Sequence, residues 1–241
     1  MNRRSFIGMM AGGLVSTPRA AAAQRAERMY RIGSLNTSPI PMPGHFDPIW
    51  IAFIERLREL GYVQGKNLSI EYRSSNGPVG PLPELAAELV RLKVDVIVVP
   101  STQPAMAARQ ATTTIPIVMG AASDVVETGL VKSLARPGGN ITGLTVSGRE
   151  LSRKRVEFLR EAIPKVSHLV VLADSTNPVH DIFWRETAVA AQQLHVKVER
   201  VDARAPQEIE PAFVEIGKVH PTLLLCFRSQ CCTPNGGEST I

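Results

Sequence analysis

From Tyr30 onward the apolar positions follow two alternating regimes: short runs rich in β-branched residues, and longer stretches with apolar residues at three- and four-residue spacing. The short runs predict strands over 30–35, 68–72, 94–99, 117–119 and 141–145. Val94-Asp95-Val96-Ile97-Val98-Val99 is nearly continuous in apolar character, as in a strand covered on both faces by helices. Between the strands, 49–60 places Ile49, Phe53, Ile54 and Leu57 on one helical face, and Leu60-Gly61 supplies a stop. The stretch 82–92 does the same with Leu82, Leu85, Leu89 and Leu92. Strand and helix in alternation predict a parallel, doubly wound α/β sheet.

The pattern then begins again. A helix is predicted over 151–163 with Leu151, Val156, Leu159 and Ile163 inward and Pro164 just past it. After it come a strand (168–173), a helix (182–194), a strand (196–201), a helix (206–219) and a strand (222–226). This gives an N-terminal α/β lobe over 24–150 and a second over 151–227, alike in architecture without a sequence repeat. After Leu223-Leu224-Leu225-Cys226-Phe227, residues 228–241 lose apolar periodicity and read as an irregular tail. A parallel sheet abandoned there exposes an edge and an unburied face. The second lobe is therefore expected to be incomplete, the product of a truncation or a frameshift.

The first residues read as an address. Arg3-Arg4-Ser5-Phe6-Ile7, a mildly apolar run from Gly8 to Val15 and Ala21-Ala22-Ala23 have the order of a signal peptide over 1–23. The paired arginines resemble a twin-arginine export signal, although Asn2 and Gly8 stand where Ser or Thr and Lys are usual, and a Sec signal reads as well. The run is too short to span a bilayer, and no cysteine follows it, so a periplasmic protein without a membrane anchor is expected. Charge then loses its first suggestion. The 27 basic and 22 acidic residues give +5, which falls to +2 once Arg3, Arg4 and Arg19 of the leader are set aside. No dense Lys/Arg stripe remains to grip phosphate, which argues against nucleic acid as a partner. Cys226, Cys231 and Cys232 cluster at one end, which makes neither a disulfide framework nor the separated ligand pairs of a zinc site.

In an open parallel sheet, ligands bind beyond the carboxyl ends of the strands. The loops there carry Asn36, Thr37 and Ser38, then Ser101, Thr102 and Gln103 before a helix over 104–111, then Ser123 and Asp124, then Ser147. In the second lobe they carry Asp174 and Asn177. Small hydroxyl and amide groups at successive strand ends suit a polar small molecule. The same residue types also cap helices and make turns, and each of Asp124, Ser101 and Asn177 has that bland reading beside the functional one. No catalytic residue, metal site or cofactor is assigned: there is no Gly-rich phosphate loop and no Gly-x-Ser-x-Gly elbow. His45, His168, His180, His195 and His220 lack metal-ligand spacing, and His45 and His180 read as exposed loop residues near the cleft. Trp50 and Trp184 read as packing residues, and Phe183 as a packing residue with apolar contact in the cleft as its alternative.

Four stretches carry a family resemblance. They are Leu57-Arg58-Glu59-Leu60-Gly61-Tyr62-Val63-Gln64-Gly65-Lys66-Asn67-Leu68, Ile70-Glu71-Tyr72-Arg73, Ala111-Thr112-Thr113-Thr114-Ile115-Pro116-Ile117-Val118, and the run from Gly129 through Arg136-Pro137-Gly138-Gly139-Asn140-Ile141-Thr142-Gly143. With them the chain resembles bacterial ABC transporter substrate-binding proteins of the type I periplasmic-binding fold, a group that includes tryptophan/tyrosine-type binders. The resemblance implies two Rossmann-like lobes with parallel sheets, the second incomplete here. It also implies a hinge, a small-molecule ligand held between the lobes and delivery to an ABC transporter permease in the inner membrane. An amino acid, a sugar and a short organic acid fit the polar loops equally well. A non-functional truncated fragment and a flavodoxin-like enzyme are the alternatives. A sugar-responsive transcription regulator shares the fold but needs a DNA-binding headpiece where the leader stands.

Overall fold

The computed structural model describes residues 28–38, 48–76 and 79–227. The leader over 1–23, the proline-rich stretch 39–44, His45, Cys231, Cys232 and the tail over 228–241 lie outside the described residues. Five parallel strands, β1 (Tyr30–Asn36), β2 (Leu68–Ser74), β3 (Val96–Val99), β4 (Ile117–Ser123) and β5 (Ile141–Val146), form a sheet in the order β2-β1-β3-β4-β5. Its helices are α1 (Pro48–Glu59), α2 (Leu82–Arg91) and α3 (Thr102–Ala111).

The alternation of side chains along each strand decides which helix covers which face. On β3, Ile97 and Val99 point into a core shared with Leu82, Ala86 and Leu89 of α2 and Ala105 and Ala108 of α3. Val96 and Val98 face the other way, toward Trp50, Phe53, Ile54 and Leu57 of α1. The sheet is thus wound on both sides, which is why β3 needs no polar face.

The chain leaves β5 directly into α4 (Gly148–Ala162), and a second sheet follows. It comprises β6 (His168–Ala173), β7 (Lys197–Asp202) and β8 (Leu223–Cys226) in the order β7-β6-β8, all parallel. Its helices are α5 (Pro178–Gln193) and α6 (Ile209–Lys218), the latter entered through a 3-10 turn at Pro206–Glu208. On β6, Leu169, Val171 and Ala173 pack with Val156 of α4 and Ala190 and Ala191 of α5, while Val170 and Leu172 pack with Ala212 and Ile216 of α6. The order β7-β6-β8 repeats that of β2-β1-β3, so the two halves start their sheets alike.

Three helices begin earlier than their apolar spacing predicts. The first turn of α3 buries Thr102, Pro104 and Ala105, and that of α4 buries Gly148 and Ser152. Small or polar residues carry no hydrophobic period, so the inward face there is invisible to it. In α5 the start is set by Asn177, whose side chain accepts from the Val179 N–H, with Pro178 at the first helical position. The β5 edge is the least covered part of the sheet: Ile141 is its only buried residue, and Leu144 is 71% exposed.

Candidate functional site

The strand order reverses direction between β1 and β3, since the chain runs from β1 outward to β2 and from β3 outward to β4 and β5. That is the position at which an open α/β sheet leaves a crevice at its carboxyl edge. Ser34 pairs with Val98, and continuing this register sets Asn36 level with Pro100. The Ala121 N–H donates to the Pro100 carbonyl, which brings the end of β4 alongside. Asn36, Thr37, Ser101 and Ser123 therefore share one sheet edge. Ser38 is also there, its carbonyl accepting from the Ser74 hydroxyl.

The polar groups at this edge divide by what already occupies them. The Thr102 hydroxyl accepts from the Ser123 N–H at 2.9 Å, which ties α3 to β4 and leaves that pair a structural task. Ser101 holds the capping position of α3 in extended backbone, yet its hydroxyl makes no capping bond. Asn36 donates weakly to the Ser34 hydroxyl at 3.4 Å, and its buried Oδ1 has no partner among the described residues. The buried Nε2 of Gln103 has none either. Buried polar atoms without partners are uncommon and unfavourable unless something else satisfies them. Asn36, Ser101 and Gln103 thus present an acceptor, a hydroxyl and a donor at the switch point.

Across the joint, the polar groups are turned inward. Asp174 Oδ1 accepts from the Thr176 N–H at 2.9 Å and from its hydroxyl at 2.6 Å, a turn closed on itself. Asn177 caps α5. Replacing Asn177 by alanine is expected to lower stability by about 1 kcal/mol, and replacing it by aspartate to leave stability nearly unchanged, both read as urea midpoints. His180 corrects the expectation of an exposed loop histidine. It lies in the first turn of α5 at 1% exposure, its Nδ1 accepts from the Asp174 N–H at 2.9 Å, and its ring packs on Phe227. The earlier start of α5 carries it into the core. Trp50 packs on Phe53 and donates to the Tyr72 hydroxyl, and Trp184 and Phe183 pack against the second core.

Asp124 and Ser147 meet one strand over, where the register pairs Ser123 with Val146. A cleft of about 430 Å³ opens here, lined among others by Asp124, Glu127, Val146, Ser147, Arg149 and Arg153. Arg149 sits on the first turn of α4, ahead of its predicted start, and Arg153 one turn on, within the predicted helix but off its apolar period. Both reach Glu186 on α5, Arg149 through Nε at 2.6 Å and Arg153 in a shorter contact. Burial by itself raises the Glu186 carboxyl, but the two guanidiniums outweigh it and hold the group below the usual carboxylate range. Among the described residues, no cluster of His, Cys, Asp and Glu is arranged to hold a metal ion, and no helix is long and apolar enough to cross a membrane.

Two parallel sheets in series, the first in the order β2-β1-β3-β4-β5, define the class: a type I periplasmic binding protein fold, here in part. The model of the family described as ABC transporter substrate binding protein matches residues 44–222. The chain belongs to that family. It is similar to a tyrosine-binding protein of Clostridioides difficile (strain R20291), 36% identical over 124 residues, which are 52% of this chain and 35% of the relative. In structure it is similar to an ABC domain in complex with L-Trp from Streptococcus pneumonia, with a TM-score of 0.72 and 24% identity over 83% of this chain and 66% of that one. A ligand-free, open substrate binding protein from Clostridium difficile matches with a TM-score of 0.54 and 25% identity, over 84% of this chain and 67% of that one. The chain thus spans about two thirds of these two solved structures and matches about a third of the curated relative.

Two of the stretches that carry the resemblance are fastened at their asparagines, away from the switch point. Asn140 of the Arg-Pro-Gly-Gly-Asn run donates through Nδ2 to the carbonyls of Thr112 and Ile115, joining two of those stretches at the amino ends of β4 and β5. Asn67 accepts from the Val63 N–H and donates to the Gly61 carbonyl, closing the turn before β2. Both asparagines of these stretches thus act as turn locks at the amino edge of the sheet.

Proposed function

We propose that this chain is the solute-binding component of an ABC importer, exported by its leader over 1–23 to the periplasm and partnered there by an inner-membrane permease. Its role is binding rather than catalysis. The ligand is a small polar molecule, with an aromatic amino acid the first choice because relatives are described as a tyrosine-binding protein and as a complex with L-Trp. It sits between an N-terminal lobe over 24–150 and a partial second lobe over 151–227. The observation that supports this reading is the switch point between β1 and β3, near which Asn36 Oδ1 and Gln103 Nε2 are buried without a partner among the described residues and the Ser101 hydroxyl makes no capping bond.

The test is a thermal-shift screen of the chain lacking residues 1–23 against L-tyrosine, L-tryptophan, other amino acids and sugars. A ligand of the native state raises the melting temperature in proportion to the logarithm of its concentration over Kd. Ser101→Ala is expected to weaken the shift by about tenfold in apparent Kd, the effect of losing one hydrogen bond to a polar ligand. A cooperative melt that no ligand moves would overturn the reading.

A further inference from the structure

Asp124 was read from the sequence as a ligand contact, but its surroundings give it a different task. It ends β4 in left-handed backbone, at φ 47°, which few residues other than glycine adopt without support. The support is local and comes from both sides of the joint. Its N–H donates to the Val146 carbonyl at the end of β5, and its own carbonyl accepts from the Thr128 N–H and hydroxyl. Its carboxylate Oδ1 then accepts from the Arg149 N–H in the first turn of α4, at a long 3.3 Å. One residue therefore grips the chain before and after Ser147, where the first sheet hands over to the second.

The carboxylate is poorly accommodated as a charge. Asp124 is 7% exposed, and Oδ2 lies beside Gly148 without a hydrogen bond of normal geometry. Of the charged groups around it, Glu127 on its own turn repels it. The Arg149 guanidinium of α4 is drawn instead to Glu186 of α5, and Glu150 and Arg153 line the same cleft.

We propose that Asp124 is a positioning residue that pins the joint between the two sheets, and that neutralising its side chain tightens the pin. Burial, and then Glu127, raise the Asp124 carboxyl above the usual range against the opposing pull of the Arg149 and Gly148 amides and the Arg149 charge. A group whose value is raised in the packed joint relative to the opened, solvated one favours the packed joint when protonated. The contribution is fully present below the ordinary aspartate range and is lost as pH rises through the raised value. The joint is then stiff in mild acid and looser at neutral pH, where the two lobes must move. Only this last clause rests on the proposed binding function.

Hydrogen exchange of the ligand-free chain tests the pin. Corrected for intrinsic chemical exchange, the Arg149 and Asp124 amides are expected to lose protection severalfold as pH rises from the ordinary aspartate range to neutral, while the amides of β6 hold theirs. Asp124→Asn keeps an acceptor without the charge. It should remove the pH dependence and raise protection at neutral pH. Asp124→Ala should lower protection at both amides at every pH. Overturning results are Asp124→Asn retaining the wild-type pH profile, or β6 changing in parallel with the joint, which marks a general loss of stability. If Asp124→Ala fails to fold, the wild-type profile and Asp124→Asn decide alone. A flat ligand screen with this profile intact removes the ligand reading and leaves the joint; the converse removes only the joint.

Discussion

Replacing Gly143 by valine is expected to cost the first sheet more than about 4 kcal/mol, a range reached only when backbone must give way. Gly143 lies in β5 at φ 138°, a conformation that side-chain-bearing residues rarely adopt. It pairs in register with Met119 of β4, and a Cβ there would fall 2.2 Å from the Met119 carbonyl oxygen and 2.6 Å from its nitrogen. No flexible side-chain tip can move aside, so either the two strands separate or the residue refolds locally. Each route strains the backbone and breaks ladder hydrogen bonds. Such a loss is a large fraction of the stability of a typical domain. Urea unfolding followed by tryptophan fluorescence reads it cleanly, because Trp50 packs in the first sheet's outer cluster and Trp184 in the second core. The Trp50 transition should collapse to low urea while the Trp184 transition shifts less. An unchanged midpoint would show that β5 has a different pairing.

Ile97→Ala is expected to destabilise the same sheet by about 2–5 kcal/mol, and Ile97→Val by about 1 kcal/mol. Ile97 is fully buried on β3, the strand between β1 and β4, and meets the helices α2 and α3 in one core. Removing its outer carbons leaves a space lined by side chains from several elements, and such a space cannot collapse without moving all of them. Val214→Ala on α6 is the control: that side chain is 59% exposed, and its loss should move the midpoint by no more than about 0.5 kcal/mol. An Ile97→Ala protein as stable as the control would mean that the first core is loosely packed.

Much of this architecture is legible from residue spacing. The run from Val94 to Val99 shows its two-sided burial directly, and β6 falls where its apolar residues place it, at His168–Ala173. Helix beginnings are not legible in the same way. Thr102 and Gly148 are buried without being apolar, so the starts of α3 and α4 read as loop. That misreading hides Arg149, which with Arg153 pairs with Glu186 and fastens α4 to α5. The same difficulty separates the candidate site residues. Thr102, Asp124, Asp174 and Asn177 have the same chemistry as Asn36, Ser101 and Gln103, and only the hydrogen bonds they make inside the fold tell them apart. Partner choice depends on three-dimensional neighbours, which no one-dimensional pattern contains.

The thinly covered β5 edge has a consequence for how the chain behaves in bulk. Among the described residues no strand pairs with its outer side, and Leu144, Val146 and Leu134 stand open to water there with no lysine or proline on the strand itself to repel a visitor. Such a border is adhesive toward any extended peptide that meets it. Light scattering of concentrated samples is consequently expected to rise with time, and Leu144→Lys to reduce that rise.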